Sequence, residues 1–370
     1  MESRASAEVN NPIRVLVVDD SAYMRFTITR YLSEVQDIQV VGVARDGEEA
    51  LEMIPRLNPQ VVTLDVEMPR MDGLSTLQEI MRTQPRPVIM LSSLTKEGTQ
   101  ETVRALTLGA VDFVAKPESK ANIQVVMDEV VQKIRRAVHV RVRSLPLAAW
   151  QEEDRRGQAT SVKSTRPWRD GDVLVVIGAS TGGPRALNAL VSALPVDMPA
   201  ALLIVQHMPA GFTRSLAQRL DTLAAFKIKE AAPGDRLEVG LGLLAPGGFH
   251  LTLDANGTVN LSQNPPVHGV RPAVDVTLLS VAQHFASRTV GVILTGMGND
   301  GANGAALVHA LGGYVIAEDE STAVVWGMPR SVIEAQAADA VLPLHAIPTA
   351  IEQQVRQRNG GGRGEPYGTP

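Results

Sequence analysis

The chain contains no cysteine among its 370 residues, and aromatic residues make up only 4% of the sequence. The lack of cysteine excludes disulfides, thiolate metal sites and a cysteine nucleophile. No apolar run reaches the ~18 residues that span a membrane. The N-terminal segment MESRASAEVNNPIR lacks the apolar core of a signal peptide. We therefore expect a cytoplasmic location without membrane insertion.

An excess of positive charge is also absent. The chain has 35 basic and 40 acidic residues and a formal net charge of −5. Residues 1–138 and 171–358 each carry a net charge of −4, and the stretch 139–170 between them carries +3. A protein that binds nucleic acid mainly through phosphates needs a basic domain. We therefore expect no nucleic-acid partner.

The composition is that of a globular protein, with 44% hydrophobic and 20% charged residues. At about 150 residues per domain, the length predicts two domains. Segments poor in core material divide the chain. We predict a flexible N-terminus at 1–12, a first domain at 13–138, a linker at 139–170, a second domain at 171–358 and a disordered tail at 359–370.

The first domain alternates short β-branched runs with helical stretches. The predicted strands are Ile13–Val18, Val40–Ala44, Val61–Leu64, Val88–Leu91 and Asp112–Ala115. The predicted helices are Ser21–Val35, Gly47–Ile54, Gly73–Arg82, Glu97–Leu108 and Ala121–Val138. Such alternation predicts an α/β fold, a doubly wound parallel sheet of five βα units.

The second domain repeats this pattern and is also predicted to be a doubly wound α/β domain. Its predicted strands are Val173–Ile177, Ala201–Val205, Val290–Leu294 and Tyr314–Ala317. Its predicted helices are Pro184–Ala193, Gly211–Leu223, Gly301–Leu311 and Ser331–Ala337. The segment LTLDANGTVNL differs, because Asn-Gly between alternating residues predicts a β-hairpin.

Polar residues follow several strands of the first domain. Asp19 and Asp20 follow the first strand, Asp65 the third, Ser92 the fourth and Lys116 the fifth. Because parallel strands end at one edge of the sheet, these groups should converge there. Clustered carboxylates favour Mg²⁺, and one of them could become an acyl phosphate. Taken singly, Asp20 also fits a helix cap and Lys116 a surface lysine.

A serine follows the first strand of the second domain, in the sequence GASTGGP. Gly178–Gly182 fits G-x-S-x-G, in which Ser180 would be a nucleophile on a sharp turn between strand and helix. A phosphate-binding loop at a helix N-terminus is the alternative. The segment matches neither G-x-G-x-x-G nor the Walker A loop. The motif alone leaves both functions open.

His207 and Asp300 are the candidate partners of Ser180. His207 follows the strand in ALLIVQHMP, and Asp300 follows another strand in VGVILTGMGNDGANG. Each residue also fits a purely structural role, Asp300 as a helix cap. Together the three are similar to a Ser-His-Asp triad in the chain order Ser, His, Asp. Alpha/beta hydrolases have the order Ser, Asp, His, so the fold differs from theirs.

The first domain resembles the receiver domain of two-component response regulators. The matching segments are VLVVDDSAYMR, VVTLDVEMPRMDG, VIMLSS and GAVDFVAKP. The resemblance implies that Asp65 is phosphorylated. It implies that Mg²⁺ is held by Asp19, Asp20, Asp65 and the carbonyl of Glu67. It further implies that Ser92 and Lys116 bind the phosphoryl group, that Phe113 is the switch aromatic, and that Lys116–Pro117 is a cis bond.

The second domain resembles the catalytic domain of the chemotaxis protein-glutamate methylesterases, the CheB family. The segments that carry this resemblance are GASTGGP, QHMP, LAPGGFHL, RPAVDVTLLSVA and TGMGNDGANG. The resemblance implies Ser180 as nucleophile, His207 as base and Asp300 as the residue that orients the imidazole. It places Met297 at the oxyanion hole and Thr181 beside the nucleophile. His250 and Arg271 lie in the matching segments, and substrate contact and a structural role are equally open for them.

The two resemblances together imply a phosphorylation-activated serine hydrolase. It would demethylate glutamyl esters on methyl-accepting chemotaxis receptors, release methanol, deamidate specific receptor glutamines and so serve sensory adaptation. The implied partners are those receptors and the histidine kinase of the chemotaxis system, and the chain is expected to be a monomer. Mg²⁺ is expected for receiver phosphorylation, and no cofactor is expected for the esterase reaction. A response regulator whose second domain only binds a partner, a transcription factor and a hydrolase of small esters are the alternatives.

Overall fold

The computed structural model describes residues 11–117, 122–140, 142, 163–195 and 197–360. The chain divides into two compact units, within Met1–Leu147 and Ala148–Pro370. Within these described ranges, no helix combines the length and apolar character needed to cross a membrane.

The first unit is a five-stranded parallel sheet with helices between the strands. Its strands are β1 (Ile13–Val18), β2 (Ile38–Ala44), β3 (Val61–Asp65), β4 (Val88–Ser92) and β5 (Asp112–Ala115). Its helices are α1 (Ala22–Ser33), α2 (Gly47–Leu57), α3 (Gly73–Thr83), α4 (Lys96–Thr107) and α5 (Ile123–Ala137). The strand order is β2-β1-β3-β4-β5.

Local sequence explains where these elements form. All residues of β3 and β4 are buried, as expected for apolar strands with helices on both faces. Polar side chains cap the helices: Asp46 accepts a hydrogen bond from Glu49 N–H at 3.0 Å, and Asp72 accepts one from Ser75 N–H at 2.7 Å. The predicted doubly wound fold of this unit is confirmed.

The second unit is built on a seven-stranded sheet in which all neighbouring strands are parallel. The strands of the unit are β6 (Arg166–Pro167), β7 (Val173–Ala179), β8 (Ala200–Gln206), β9 (Lys227–Glu230), β10 (Glu238–Val239), β11 (Leu241–Leu244), β12 (His250–Leu253), β13 (Val259–Ser262), β14 (Thr289–Ile293), β15 (Tyr314–Glu318) and β16 (Ala340–Leu342). The order in the large sheet is β16-β15-β14-β7-β8-β11-β9.

Six α-helices of this unit lie within the described residues. They are α6 (Gly183–Ala193), α7 (Phe212–Leu223), α8 (Val274–Phe285), α9 (Ala302–Ala310), α10 (Met328–Glu334) and α11 (Ile347–Gly360). β7 and β8 lie in the middle of the large sheet and are buried along their whole length. The ends of β7, β8 and β14 therefore share one protected edge.

Several elements of the second unit were not predicted from the sequence. They are the short strands β6, β9, β10, β11 and β16 and the helices α8 and α11. The hairpin prediction is confirmed, because β12 and β13 pair antiparallel and Gly257 in the turn has a φ of 74°. Positive φ suits glycine at such a turn.

The ends of the predicted linker and tail have defined structure. Lys163 forms an ion pair with Asp221 at 2.9 Å, and Trp168 packs edge-on against Phe285 with ring centroids 6.3 Å apart. The rest of the predicted linker, apart from 139–140 and 142, lies outside the described residues, as do 1–10 and 361–370. The cis bond among the described residues is Arg271–Pro272, so the expectation of a cis Lys116–Pro117 bond is wrong.

Candidate functional site

The carboxyl ends of β1, β3 and β5 bring three charged groups together in the first unit. The Nζ atom of Lys116 lies 2.6 Å from Oδ2 of Asp65 and 3.1 Å from Oδ2 of Asp19. Asp19 and Asp65 are buried, whereas Asp20 is exposed. The backbone N–H of Lys116 donates to the carbonyl of Ser92 at 2.7 Å, which fixes the end of β5 against the end of β4.

Burial dominates the electrostatics of Asp65. It raises the pKa of Asp65 to about 6, and repulsion from Asp19 adds to this, against the attraction of the Lys116 ammonium and a hydrogen bond from Glu67 N–H. Burial acts to lower the pKa of Lys116, but the charges of Asp65 and Asp19 outweigh it and raise that pKa. The protein thus holds a lysine against two buried carboxylates, and desolvation disfavours the charged form of Asp65.

The same cluster fits a hard divalent cation. Oxygen atoms of Asp19, Asp20 and Asp65 all lie within 4.8 Å of one another. The Oδ2 atoms of Asp19 and Asp65 are buried and accept no well-aligned hydrogen bond, although Lys116 contacts both. Carboxylates with unfilled lone pairs beside an exposed third carboxylate are a donor set suited to Mg²⁺.

Ser92 lies at the same edge, but its hydroxyl is directed toward α4. It donates to the carbonyl of Gly98 at 3.1 Å and accepts from the hydroxyl of Thr102 at 2.6 Å. Glu67 follows Asp65, and its N–H donates to Oδ1 of Asp65 at 3.4 Å. The structure therefore brings Glu67 to Asp65, while the Ser92 hydroxyl is bonded within its own segment and α4.

Phe113 lies inside the first unit, in the middle of β5. Its side chain is buried, and the Nζ atom of Lys133 lies 5.1 Å from the ring centroid. That ammonium also donates to the Phe113 carbonyl and forms an ion pair with Asp112 at 3.0 Å. The aromatic ring is thus in an inward position between the sheet and α5.

In the second unit, Ser180 and His207 follow neighbouring strands. Ser180 comes directly after β7 and His207 directly after β8, and the last residues of these strands, Ala179 and Gln206, are paired. The N–H of His207 donates to the carbonyl of Ala179 at 3.1 Å. The amide of Gln206 donates to the carbonyl of Ser180 at 2.9 Å. These bonds fix the serine and the histidine at one edge of the sheet.

Asp300 lies in the loop after β14 and contacts His207. Its Oδ2 atom is 2.7 Å from Nε2 of the imidazole. The first amides of α8 donate to the same carboxylate, Val274 N–H to Oδ2 at 2.6 Å and Asp275 N–H to Oδ1 at 2.9 Å. The positive end of the helix thus stabilises the ionised group.

The balance at Asp300 favours the charged form. Burial alone would raise its pKa, but the hydrogen bond and charge of His207 and the two helix amides outweigh burial and lower the pKa. An ionised carboxylate bonded to an imidazole stabilises the imidazolium that forms during general-base catalysis.

Close packing shapes the turn that carries Ser180. Gly182 has a φ of 78°, and a Cβ there would lie 2.6 Å from the Cβ of Val324. A Cβ at Gly296 would lie 2.8 Å from the Cβ of Ser180. The loop after β14 therefore passes directly over the serine, and only glycine fits at its point of closest approach.

The other two predicted site residues lie around this contact. Thr181 is buried, and its carbonyl accepts a hydrogen bond from the Thr295 hydroxyl at 2.9 Å. Met297 follows Gly296 and is 43% exposed. Met297 is thus an exposed apolar residue in the loop that passes over Ser180.

Sequence reasoning missed a second histidine and aspartate at this site. Nε2 of His268 lies 2.8 Å from Oδ2 of Asp275 and 4.0 Å from Oδ1 of Asp300. Asp275 is buried and also accepts a hydrogen bond from Gly304 N–H at 2.8 Å. The position of Asp275 three residues after a proline, in RPAVDV, could have indicated a first helical turn. His268 carries no comparable sequence signal.

His250 and Arg271 both contact the backbone of the loop between β13 and α8. His250 is buried, with Nε2 3.1 Å from the carbonyl of Pro265. Arg271 donates to the carbonyls of Gln263 and Asn264 at 2.8 and 2.9 Å. These contacts support the structural role that the sequence left open for them.

Two protein families match separate parts of the chain. Residues 175–351 match the family described as CheB methylesterase. Residues 15–128 match the family described as response regulator receiver domain.

Two curated relatives are similar over nearly the whole chain, and both are named protein-glutamate methylesterase/protein-glutamine glutaminase. The relative from Symbiobacterium thermophilum is 52% identical over 358 residues, 95% of this chain and 99% of the relative. The one from Pyrococcus abyssi is 44% identical over 355 residues, 95% of each chain. The solved catalytic domain of Thermotoga maritima CheB methylesterase is 50% identical, with a TM-score of 0.48, and covers 49% of this chain and 98% of that one.

Proposed function

The chain belongs to the family of CheB methylesterases that carry a receiver domain, and from this premise we propose that it hydrolyses glutamyl methyl esters on chemoreceptors. The observation that carries this proposal is the 2.7 Å contact between His207 and Asp300 at the sheet edge where Ser180 follows β7. A base bonded to an ionised carboxylate beside a serine is what nucleophilic ester hydrolysis requires.

The proposed reaction proceeds through an acyl-enzyme. Oγ of Ser180 attacks the ester carbonyl carbon, and His207 takes the hydroxyl proton. Because Nε2 of His207 is bonded to Asp300, Nδ1 is the ring nitrogen that exchanges this proton. The bond to the methoxy oxygen then breaks, His207 returns the proton, and methanol leaves a glutamyl ester on Ser180.

Water completes the cycle. His207 takes a proton from water as the water oxygen attacks the acyl carbon, and the proton returns to Oγ of Ser180 when the acyl bond breaks. The free glutamate is the product. The amide of Met297 stabilises the oxyanion in both steps, and Thr181 holds the turn beside the nucleophile. A glutamine substrate would react in the same way with ammonia as leaving group, which supports deamidation of specific receptor glutamines.

The first domain would regulate this activity through Asp65. Asp19, Asp20, Asp65 and the Glu67 carbonyl would hold Mg²⁺, which neutralises charge on an incoming phosphoryl group. Lys116 lies against Asp65 and would bind the phosphoryl oxygens, as would Ser92 after its hydroxyl leaves Gly98. The side chain of Phe113 would move when that of Ser92 moves.

The biological setting follows from the family. The histidine kinase of the chemotaxis system would supply the phosphoryl group, and methyl-accepting receptors would be the substrate, which gives sensory adaptation. We propose a cytoplasmic monomer with domains at 13–138 and 171–358 and a linker at 139–170. Two domains of negative net charge support a protein without a nucleic-acid partner.

Methanol release from methyl-labelled receptor membranes tests the proposal. The assay is run with and without Mg²⁺ and a small phosphodonor. We expect release that rises sharply with the phosphodonor. Release that does not change with the phosphodonor would support the esterase activity but contradict its regulation by phosphorylation. A phosphorylated protein that releases no methanol from any receptor would contradict the esterase and favour a regulator that acts only by partner binding.

A further inference from the structure

The strongest unassigned feature of the second unit is a buried glutamate at the end of β15. Glu318 has no exposed surface. Its Oε2 atom accepts the backbone N–H of Thr295 at 2.7 Å, and its Oε1 atom accepts the hydroxyl of Thr322 at 3.0 Å. Burial raises the pKa of Glu318 against these two hydrogen bonds. A buried carboxyl that is costly to keep and takes no part in the triad calls for a specific role.

Thr295, whose amide Glu318 binds, also contacts the turn that carries Ser180. The carbonyl of Thr295 accepts the N–H of Ser180 at 3.0 Å, and its hydroxyl donates to the carbonyl of Thr181 at 2.9 Å. The hydroxyl also accepts the N–H of Val325 at 2.9 Å. Thr295 is thus bonded to both residues of the turn that presents the serine, and Glu318 fixes its amide.

The loop that contains Gly296 and Met297 belongs to the same hydrogen-bond network. Gly296 N–H donates to the carbonyl of Val325 at 2.9 Å, and the carbonyl of Gly296 accepts Met328 N–H at 2.8 Å. The indole of Trp326, within this segment, donates to the main-chain carbonyl of Glu318 at 3.1 Å. The carboxyl of Glu318 therefore anchors Thr295, and its main-chain carbonyl anchors the segment that contains Trp326. Gly296, which lies over Ser180, is held between these two segments.

We propose that Glu318 is a positioning residue of the esterase site, whose carboxyl holds the Thr295 amide and thereby sets the distance between Ser180 and the Met297 loop. This inference rests on the proposed function and adds a residue to that site. A displacement of about 1 Å in such a site can cost about 100-fold in rate. The contribution of Glu318 should therefore appear in kcat and leave substrate binding unchanged.

Two substitutions separate positioning from simple burial. Glu318→Gln retains an oxygen for the Thr295 amide and an N–H₂ group for the Thr322 hydroxyl. Glu318→Leu has similar bulk but leaves the buried Thr295 amide without an acceptor. We expect kcat within about threefold of wild type for the glutamine variant, a fall of about 10- to 100-fold for the leucine variant, and KM within about twofold in both.

The matched control is a buried carboxyl at the opposite end of the sheet. Asp172 precedes β7, is 3% exposed and pairs with Arg166 at 2.6 Å. Asp172→Asn and Asp172→Leu should lower the melting temperature without a comparable change in kcat. If Glu318→Leu does not fold, Thr322→Val replaces it, since that variant removes the hydroxyl that is bonded to Oε1 and also accepts the Leu344 N–H at 2.9 Å. A severalfold loss of kcat at constant KM is then expected.

Backbone hydrogen exchange gives a readout that does not depend on the reaction. In Glu318→Leu, amides in 179–183 and 294–298 should exchange faster than in wild type, and those of the first unit should not. This holds even if wild type releases no methanol, so failure of the proposed function can be told apart from failure of this inference. Unchanged kcat and exchange in a folded leucine variant would overturn it. An equal loss of kcat in the glutamine and leucine variants would also overturn it.

Discussion

Lys116 Nζ lies 2.6 Å from Oδ2 of Asp65, at the edge where β3 and β5 end. The ammonium also lies 3.1 Å from Asp19, so one lysine forms ion pairs with two buried carboxylates. The attraction of Lys116 is insufficient to offset the desolvation of Asp65. The pKa of Asp65 is therefore raised to about 6, by burial first and by Asp19 second. The first unit therefore carries a stability cost at the residue proposed to be phosphorylated.

Asp65→Asn should stabilise the first unit in metal-free buffer. A folded-state pKa raised above the unfolded value of 3.8 means that stability is lost as pH rises from about 4 to about 6, and the full cost is present at pH 7. Asparagine removes the charge but retains the shape. We expect a gain on the order of 1–3 kcal/mol in the free energy of unfolding, measured by urea denaturation at pH 7.

Two controls test whether loss of the Asp65 charge causes the gain in stability. The gain should shrink at pH 4, where Asp65 is already neutral, and in Mg²⁺, which offsets the charge in wild type. Asp46 is equally buried but accepts a hydrogen bond from Glu49 N–H as a helix cap, so Asp46→Asn should give no gain. An Asp65→Asn protein that is less stable than wild type at pH 7 would contradict the argument.

Ser180→Ala should remove nearly all methanol release and leave the fold intact. The serine lies half-buried in a turn, and the substitution removes one oxygen with little packing. We expect kcat to fall at least about 10³-fold, because no other group in the site can form the acyl-enzyme. Ser192→Ala, at the other end of α6, is the control and should be fully active. A folded Ser180→Ala protein with wild-type turnover would refute the triad.

Asp300→Asn should be inactive and less stable. The carboxylate accepts three hydrogen bonds, from His207 and from the amides of Val274 and Asp275. In either orientation, the N–H₂ group of asparagine would face one of the two helix N–H groups, and the charge that stabilises the imidazolium is lost. We expect kcat to fall by about 10³- to 10⁴-fold.

The pH dependence of stability offers a second measurement on Asp300. Its pKa is lowered in the folded state, so its contribution is present above the unfolded pKa and is lost as pH falls through the folded pKa. The gap in stability between wild type and Asp300→Asn should therefore narrow in acid. Asp254→Asn, which also loses a carboxylate that accepts two backbone amides, should leave kcat unchanged.

Much of both sites could be predicted because their residues follow local apolar runs. Asp19, Asp65 and Lys116 each end a β-branched segment, and in a parallel sheet all such ends share one edge. Ser180 and His207 follow the same rule. The prediction needs only the identity of the strands, which short-range sequence determines.

The partners of Asp300 and the role of Glu318 could not be predicted in this way. α8 reads VDVTLLSVAQHF. Its buried face includes the polar residues Asp275 and Thr277, and Leu279 is exposed, so the sequence does not show the apolar periodicity of a surface helix. Glu318 ends a strand with no sign that its carboxyl meets Thr295, 23 residues earlier. The short strands β9 and β11, KIKE and LGLL, carry charge or glycine and give no strand pattern.

The last prediction concerns regulation through Asp65. Wild-type methanol release should rise when Mg²⁺ and a small phosphodonor are added, and Asp65→Asn should show no rise, because it lacks the carboxylate that forms the acyl phosphate. The control is Asp37→Asn. It breaks an exposed ion pair with Arg135 at 2.8 Å in the same unit and should respond as wild type does. Since phosphorylation can only shift an equilibrium that already exists, both variants should retain a basal rate. A phosphodonor response in Asp65→Asn equal to that of wild type would show that another group receives the phosphoryl group or that regulation does not pass through the receiver.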